Sequence, residues 1–460
     1  MHNKLTLILA IILCTLSIHA QHTEVEDIRA QAWPIDDPYA SLTEVPKKWE
    51  DASAVILYQS YQRTYTKKGK TIRNANSLRK RLKIQDNSAL EEYSEFAFGA
   101  IDNDRGSFKK KSDFIVGEIK IIKADGASFL INLDEAVDDG DWGKKVALSN
   151  LEVGDIIDYY YYQHDAFYDV HGHTFSPVIS TLGEEYPIMH QDFGFKISNK
   201  FYVAFNTYNG APEVKTIDNP IDETVTFMIE DHDREAEEYL QWFHPNRELP
   251  IIKFQVIQAN HTEELKGLKV FTKYMGSKLK QKATEGDIID LAKRSFTIKK
   301  LKDKGLDEYV AQHCNNCPTD KKIKLAYNYL RFHRFVDIYE KFSYIEAGMD
   351  LYVYGYGDSV LNDVQVVNVM AGYLLKEGID FEVLATVPKR YGTIDDVLLA
   401  DEISYIVNAK DNGESIYLSK FSTNTSFNHI PYELQGQNAY VLQYGTGGFH
   451  IESFHERYTL

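Results

Sequence analysis

Between Asp51 and Glu230 the apolar positions recur mostly at every second residue. Ser53–Tyr65 (SAVILYQSYQRTY) is dense in β-formers, and Asp113–Lys123 (DFIVGEIKIIK) alternates apolar with polar. Alternation of this kind sends successive side chains to opposite faces of a strand. Ala124-Asp125-Gly126 is a turn between two such runs and predicts a hairpin. Further strands are expected over 155–163, 174–181, 202–206 and 224–229. Many short strands parted by Gly, Asn and Asp turns predict an antiparallel β-sandwich-like domain.

After His261 the period changes. Glu263–Leu279, Glu285–Lys299, Thr319–His333 and Ser359–Lys376 read as helices, the third with Ile323, Ala326, Tyr327 and Leu330 on one face. Glu377-Gly378 ends the last of them, because glycine takes the left-handed conformation at no steric cost. Strands are expected at Phe381–Val387, Ile403–Val407, Ser415–Leu418 and Tyr440–Gln443. Helices followed by strands indicate an α+β domain.

The start of the chain is a separate matter. A short, weakly basic opening precedes an apolar run from Leu5 to Ser17, and Ala20 stands before Gln21. This pattern is that of a secretory signal peptide over 1–20, so the mature chain is expected to be exported, in the periplasm or at the envelope or outside the cell, with no stable membrane span. Residues 21–48 carry Pro34, Pro38 and Pro46 and read as an irregular leader that docks on the first domain. The expected division is therefore β-rich from 49 to 245, α+β from 246 to 430, and a strand-forming tail over 431–460.

Composition narrows the function. Over 460 residues, Lys+Arg number 51 and Asp+Glu 68, for a formal charge of −17. An acidic chain without a basic run offers no footprint for phosphate backbones, so no nucleic acid is expected as a partner. Three cysteines cannot staple a small fold. Cys314-Asn315-Asn316-Cys317 directly precedes a helix, and a local disulfide is the favoured reading; redox chemistry, metal binding and free thiols are the alternatives. A zinc site lacks its fourth ligand, since only His313 adjoins the two thiols. His171 and His173 share a strand face near carboxylates, Tyr159–Tyr162 alternate across a strand as sheet packing would, and Tyr444–Gly448 reads as a turn and not as a phosphate loop. No cofactor or metal is expected.

Several segments resemble a known pair of domains. Asn150-Leu151-Glu152-Val153-Gly154-Asp155-Ile156-Ile157-Asp158-Tyr159-Tyr160-Tyr161, with Trp49–Tyr58 and Arg81–Ile84, resembles a β-rich domain of unknown function. That domain commonly precedes transglutaminase-like cores in exported bacterial proteins. Tyr356-Gly357-Asp358-Ser359-Val360-Leu361-Asn362-Asp363 and Gly378–Leu384 are similar to that transglutaminase-like (papain-like) α+β core, and Leu434–Ala439 to the segment after it.

The resemblance implies a cysteine at a helix N-terminus, a histidine base and an orienting aspartate. The helix start matters because its partial positive charge favours a thiolate, and the histidine must reach the nucleophile to take its proton. The corresponding positions here hold Ser359, Ser404 (or Glu402 with a longer loop) and Ser419. Phe427-Asn428-His429 repeats the histidine tripeptide of the related pattern, but after Tyr417-Leu418 and not before it. The catalytic identities are thus expected to be lost, leaving a pseudoenzyme. Three functions follow from this: a binding or scaffold module for a peptide, protein or glycan; an enzyme of acyl transfer or amide hydrolysis with a rearranged site; or a structural partner in envelope assembly.

Overall fold

The computed structural model describes residues 24–98, 112–138, 144–168, 172–198, 200–237, 243–266, 268–271, 279–334, 362–421, 425–444 and 457–459. The signal-like segment over 1–20, His171 and Ser359 lie outside the described residues.

Ala54–Lys68 and Thr71–Ile84 form the longest hairpin, turning at Gly69, whose φ of 62° a side chain would resist. They stand at the centre of an eight-stranded sheet. Its order runs Lys215–Asn219, Thr224–Arg234, Ile188–Ser198, Ala54–Lys68, Thr71–Ile84, Ile156–Tyr168, Ser112–Ile122 and Ser128–Leu130. The expected hairpin at Asp125-Gly126 joins the last two strands, with Gly126 at φ 90°. Within this sheet one pairing departs from the antiparallel expectation: Ala54–Lys68 and Ile188–Ser198 run parallel.

A second sheet holds Val178–Thr181, Ile251–Gln258, Phe201–Tyr208 and Leu279–Lys280 in that order. The two sheets pack through a core of Phe193, Phe195, Phe227, Phe205, Phe254 and Val256. Phe195 and Phe254 stack with centroids 5.2 Å apart. Burial on this scale is the main term that holds such a pair of sheets together. The register of the central strand shifts between Ile56 and Tyr58. A bulge of this kind puts Leu57 and Tyr58 on the same side, so that Gln59, Tyr61, Arg63 and Tyr65 fall on the other.

The other face of the large sheet carries the leader. Residues 24–32 are helical, a correction to the irregular reading: all three leader prolines come after this stretch and cannot break it. Arg81 donates to the carbonyls of Ala40 (2.9 Å) and Leu42 (3.2 Å), and Tyr39 stacks on Tyr58 at 3.9 Å. Asp158 accepts hydrogen bonds from Trp33 Nε1 (2.8 Å), Arg81 Nη1 (2.8 Å) and Arg79 Nη2 (3.1 Å).

The boundary at 245/246 is also corrected. Ile251–Gln258, expected in the second domain, pairs with Phe201–Tyr208 and belongs to the sandwich. All eight of its residues are buried, so it shows no alternation to mark it as a strand. Of the helix expected over Glu263–Leu279, Thr262–Leu265 is helical, 268–271 is not, and 267 and 272–278 lie outside the described residues; Leu279–Lys280 is a strand pairing in parallel with Phe201–Tyr208. Lys304–His313 is a further helix, beyond those expected from the sequence.

The α+β body is a five-stranded sheet in the order Glu414–Leu418, Ser404–Asp411, Phe381–Thr386, Asn438–Gln443 and Arg457–Thr459. Asp363–Glu377 is a helix lying on it through Val367, Met370, Ala371 and Leu374, against Val383, Ala385 and Val407. It ends at Gly378 in the left-handed conformation, φ 68°. The segment read as a tail is an inner part of this sheet, since Asn438–Gln443 pairs directly with Phe381–Thr386. The chain is thus a multidomain protein of α and β structure with β-rich sheets.

Candidate functional site

Among the described residues the helix on the α+β sheet begins at Asp363. Asn362 is its N-cap, accepting from Gln365 N at 3.0 Å, and Asp363 is the first helical residue. The described part of the helix expected over Ser359–Lys376 thus begins at Asp363, and Ser359 itself lies outside the described residues. Asn at the cap followed by an apolar helical period was the local signal.

The group that occupies the helix start is the carboxyl of Asp363. It accepts from Tyr405 N at 3.2 Å, with the Ser404 side chain beside it. Burial raises its pKa above the ordinary aspartate value, against the opposing pull of Lys420, the Tyr405 N–H and the Ser404 hydroxyl. Tyr405 is 4% exposed, and its own hydroxyl has no hydrogen-bond partner among the described residues. The structure therefore brings together Ser404 and Asp363, a pairing of hydroxyl and carboxyl with no imidazole in it.

Ser419 is fully buried, and its Oγ donates to the carbonyl of His429 at 3.3 Å. The hydroxyl is thereby spent on holding the 425–431 loop against the strand end. His429 contributes that carbonyl while the residue itself is exposed. Glu402, the alternative histidine position, is 2% exposed and forms an ion pair with Lys253 at 2.6 Å. Its second oxygen accepts from the N–H groups of Leu398 and Leu399, both at 2.9 Å. Among the described residues, no histidine ring is hydrogen-bonded to Asp363, Ser404 or Ser419; His429 meets Ser419 through its backbone carbonyl alone. A base able to draw a proton from a hydroxyl has to stand within that reach.

Cys314 and Cys317 are bonded to each other between the helices Lys304–His313 and Thr319–Arg334, with Cα atoms 5.2 Å apart. His173 lies between the rings of Phe167 and Phe175, each centroid 4.9 Å away. No group of three or more potential metal ligands occurs among the described residues. Tyr159 packs edge-on to Phe96, and Tyr160 edge-on to Trp33 of the leader. Among the described residues no helix is long and apolar enough to cross a membrane.

No family profile matches the sequence, and no curated protein matches it. A candidate protease from Parabacteroides distasonis aligns at a TM-score of 0.48 with 14% identity, over 85% of this chain and 70% of that one. The yeast delta-COP-I mu-homology domain, solved with a WxWxV peptide, aligns at 0.16 with 9% identity, over 46% of this chain and 78% of that one. Neither likeness is close enough to assign a family.

Proposed function

We propose that the chain is an exported, non-catalytic transglutaminase-like protein that acts as a binding or scaffold module for a peptide, a protein or a glycan. One observation carries the reading: the side chains at the positions where acyl transfer would need a base and its orienting acid are engaged in holding the fold. Ser419 bonds a loop carbonyl, Glu402 is locked to Lys253, and Ser404 stands beside a buried carboxyl at the helix start. A serine oxygen without a base is a weak nucleophile at neutral pH. The apolar segment before Ala20 supports export.

Labelling tests the reading. Intact protein treated with a fluorophosphonate and, separately, with iodoacetamide is expected to take up neither reagent at a defined residue. Stoichiometric fluorophosphonate labelling at Ser359 or Ser404 would overturn the proposal, because it requires an activated hydroxyl.

A further inference from the structure

A row of polar side chains crosses the inner face of the large sheet, one from each of four adjacent strands. Asp231, Gln191, Gln59 and Lys80 stand directly opposite one another in register. All four are buried, with Gln59 1% exposed. Gln59 Nε2 donates to Gln191 Oε1 at 2.9 Å, and Gln191 Nε2 donates to Asp231 Oδ2 at 2.7 Å. Two ion pairs close the ends of the row: Arg234 with Asp231 at 2.7 Å and Lys80 with Glu184 at 3.1 Å. The row lies between the apolar core of the sandwich and a second core built on Ile56, Leu82 and Ile188. Hydrophobic residues of similar size would fill such positions at lower cost, since buried polar groups must give up water.

One atom in this row is left over. Gln59 Oε1 is buried and has no hydrogen-bond partner among the described residues. An unmade bond at such a site is a standing cost to the fold. Gln59 lines a cleft of about 450 Å³ between the two sheets, within the usual range for small-molecule sites. The cleft wall also carries Tyr61, Phe193 and Ile252, and its mouth carries the exposed Ser180.

We propose that this cleft binds a neutral, polyhydroxylated ligand, of the class of a short oligosaccharide. The orphaned atom is an acceptor, so the ligand must bring a donor, which a sugar hydroxyl supplies. Asp231 and Glu184 already have cationic partners, and the two further charges of the wall, Arg63 and Glu185, are opposite in sign, so an ionic ligand gains no net attraction. The aromatic and aliphatic wall suits the C–H face of a sugar ring. The inference rests on the binding-module reading and adds to it a site and a ligand class.

Titration calorimetry with maltotriose, cellotriose and chitotriose, with trialanine as the competing class, tests it. At least one trisaccharide is expected to bind saturably. Gln59→Met, which removes the acceptor at similar volume, is expected to weaken binding about tenfold or more. Ser180→Trp, at the exposed mouth and away from the buried row, is expected to abolish binding with the melting temperature unchanged. The proposal is overturned if no trisaccharide binds folded protein at millimolar concentration, if trialanine binds in their place, or if binding ignores both substitutions. Turnover assays read the non-catalytic claim separately, so the two can fail independently.

Discussion

Lys253 Nζ stands 2.6 Å from Glu402 Oε1, and both side chains are 2% exposed. The lysine comes from a sandwich strand and the carboxylate from the turn that precedes Ser404–Asp411, so the pair ties the two bodies together. Lys253 also donates to the carbonyl of Tyr391 at 2.8 Å. Beside the pair, Ala204 and Tyr208 of the sandwich pack on Leu398 and Leu399. A buried ion pair with its remaining hydrogen bonds satisfied is hard to break from one side.

Removing one partner therefore costs more than removing both. Lys253→Met or Glu402→Gln alone is expected to destabilise by about 3–5 kcal/mol, because each strands a polar or charged group in the interior. The double variant is expected to recover much of that loss. Urea unfolding of the four proteins reads the cycle; additive losses in the double variant would contradict the account.

Asp363 gives a pH signature. Its folded pKa is raised by burial above the ordinary value of 3.8, so the fold favours the protonated acid. Its contribution is then fully present below the unfolded pKa and is lost as pH rises through the folded value. Asp363→Asn is expected to melt higher than the wild type at neutral pH, with the difference closing below about pH 4. A variant less stable than the wild type at pH 7 would show that the ionised carboxylate is what the helix start requires.

The leader depends on Asp158. Burial opposes its charge, but Arg79, Trp33 and Arg81 hold its pKa below the usual aspartate value. This stability is present above the unfolded pKa and is lost as pH falls through the folded one. Asp158→Asn leaves Arg79 and Arg81 under-compensated and is expected to cost about 3–5 kcal/mol. Limited proteolysis is expected to cut within 24–49 first; unchanged resistance there would remove Asp158 from its role as the anchor.

What the sequence made legible was local. The hairpin at Asp125-Gly126 announces itself through its turn, and Thr319–Arg334 through Ile323, Ala326, Tyr327 and Leu330 on one face. Ile188–Ser198 is the parallel neighbour of Ala54–Lys68, and no hairpin turn joins the two in the sequence to announce the pairing. Ile251–Gln258 carries no alternation that would tie it to the sandwich, because it is buried on both faces.

The candidate site was legible only in part. Ser404 was named, whereas Asp363 was passed over for the Gly357-Asp358-Ser359 motif, although Asn362 carried a capping signal. Glu402 gave no hint of Lys253, which is 149 residues away along the chain. The polar row on Gln59 was equally hidden, since each of its members looks in sequence like an ordinary polar residue on a strand.

On the proposed reading, Ser359, Ser404 and Ser419 do not carry catalysis. Its most direct test is turnover of a glutamine peptide with hydroxylamine, followed as hydroxamate, beside release of ammonia from the same peptide. Wild-type protein is expected to give no rate above a heat-denatured control. A rate that is present in the wild type and lost in Ser359→Ala or Asp363→Asn would contradict the account.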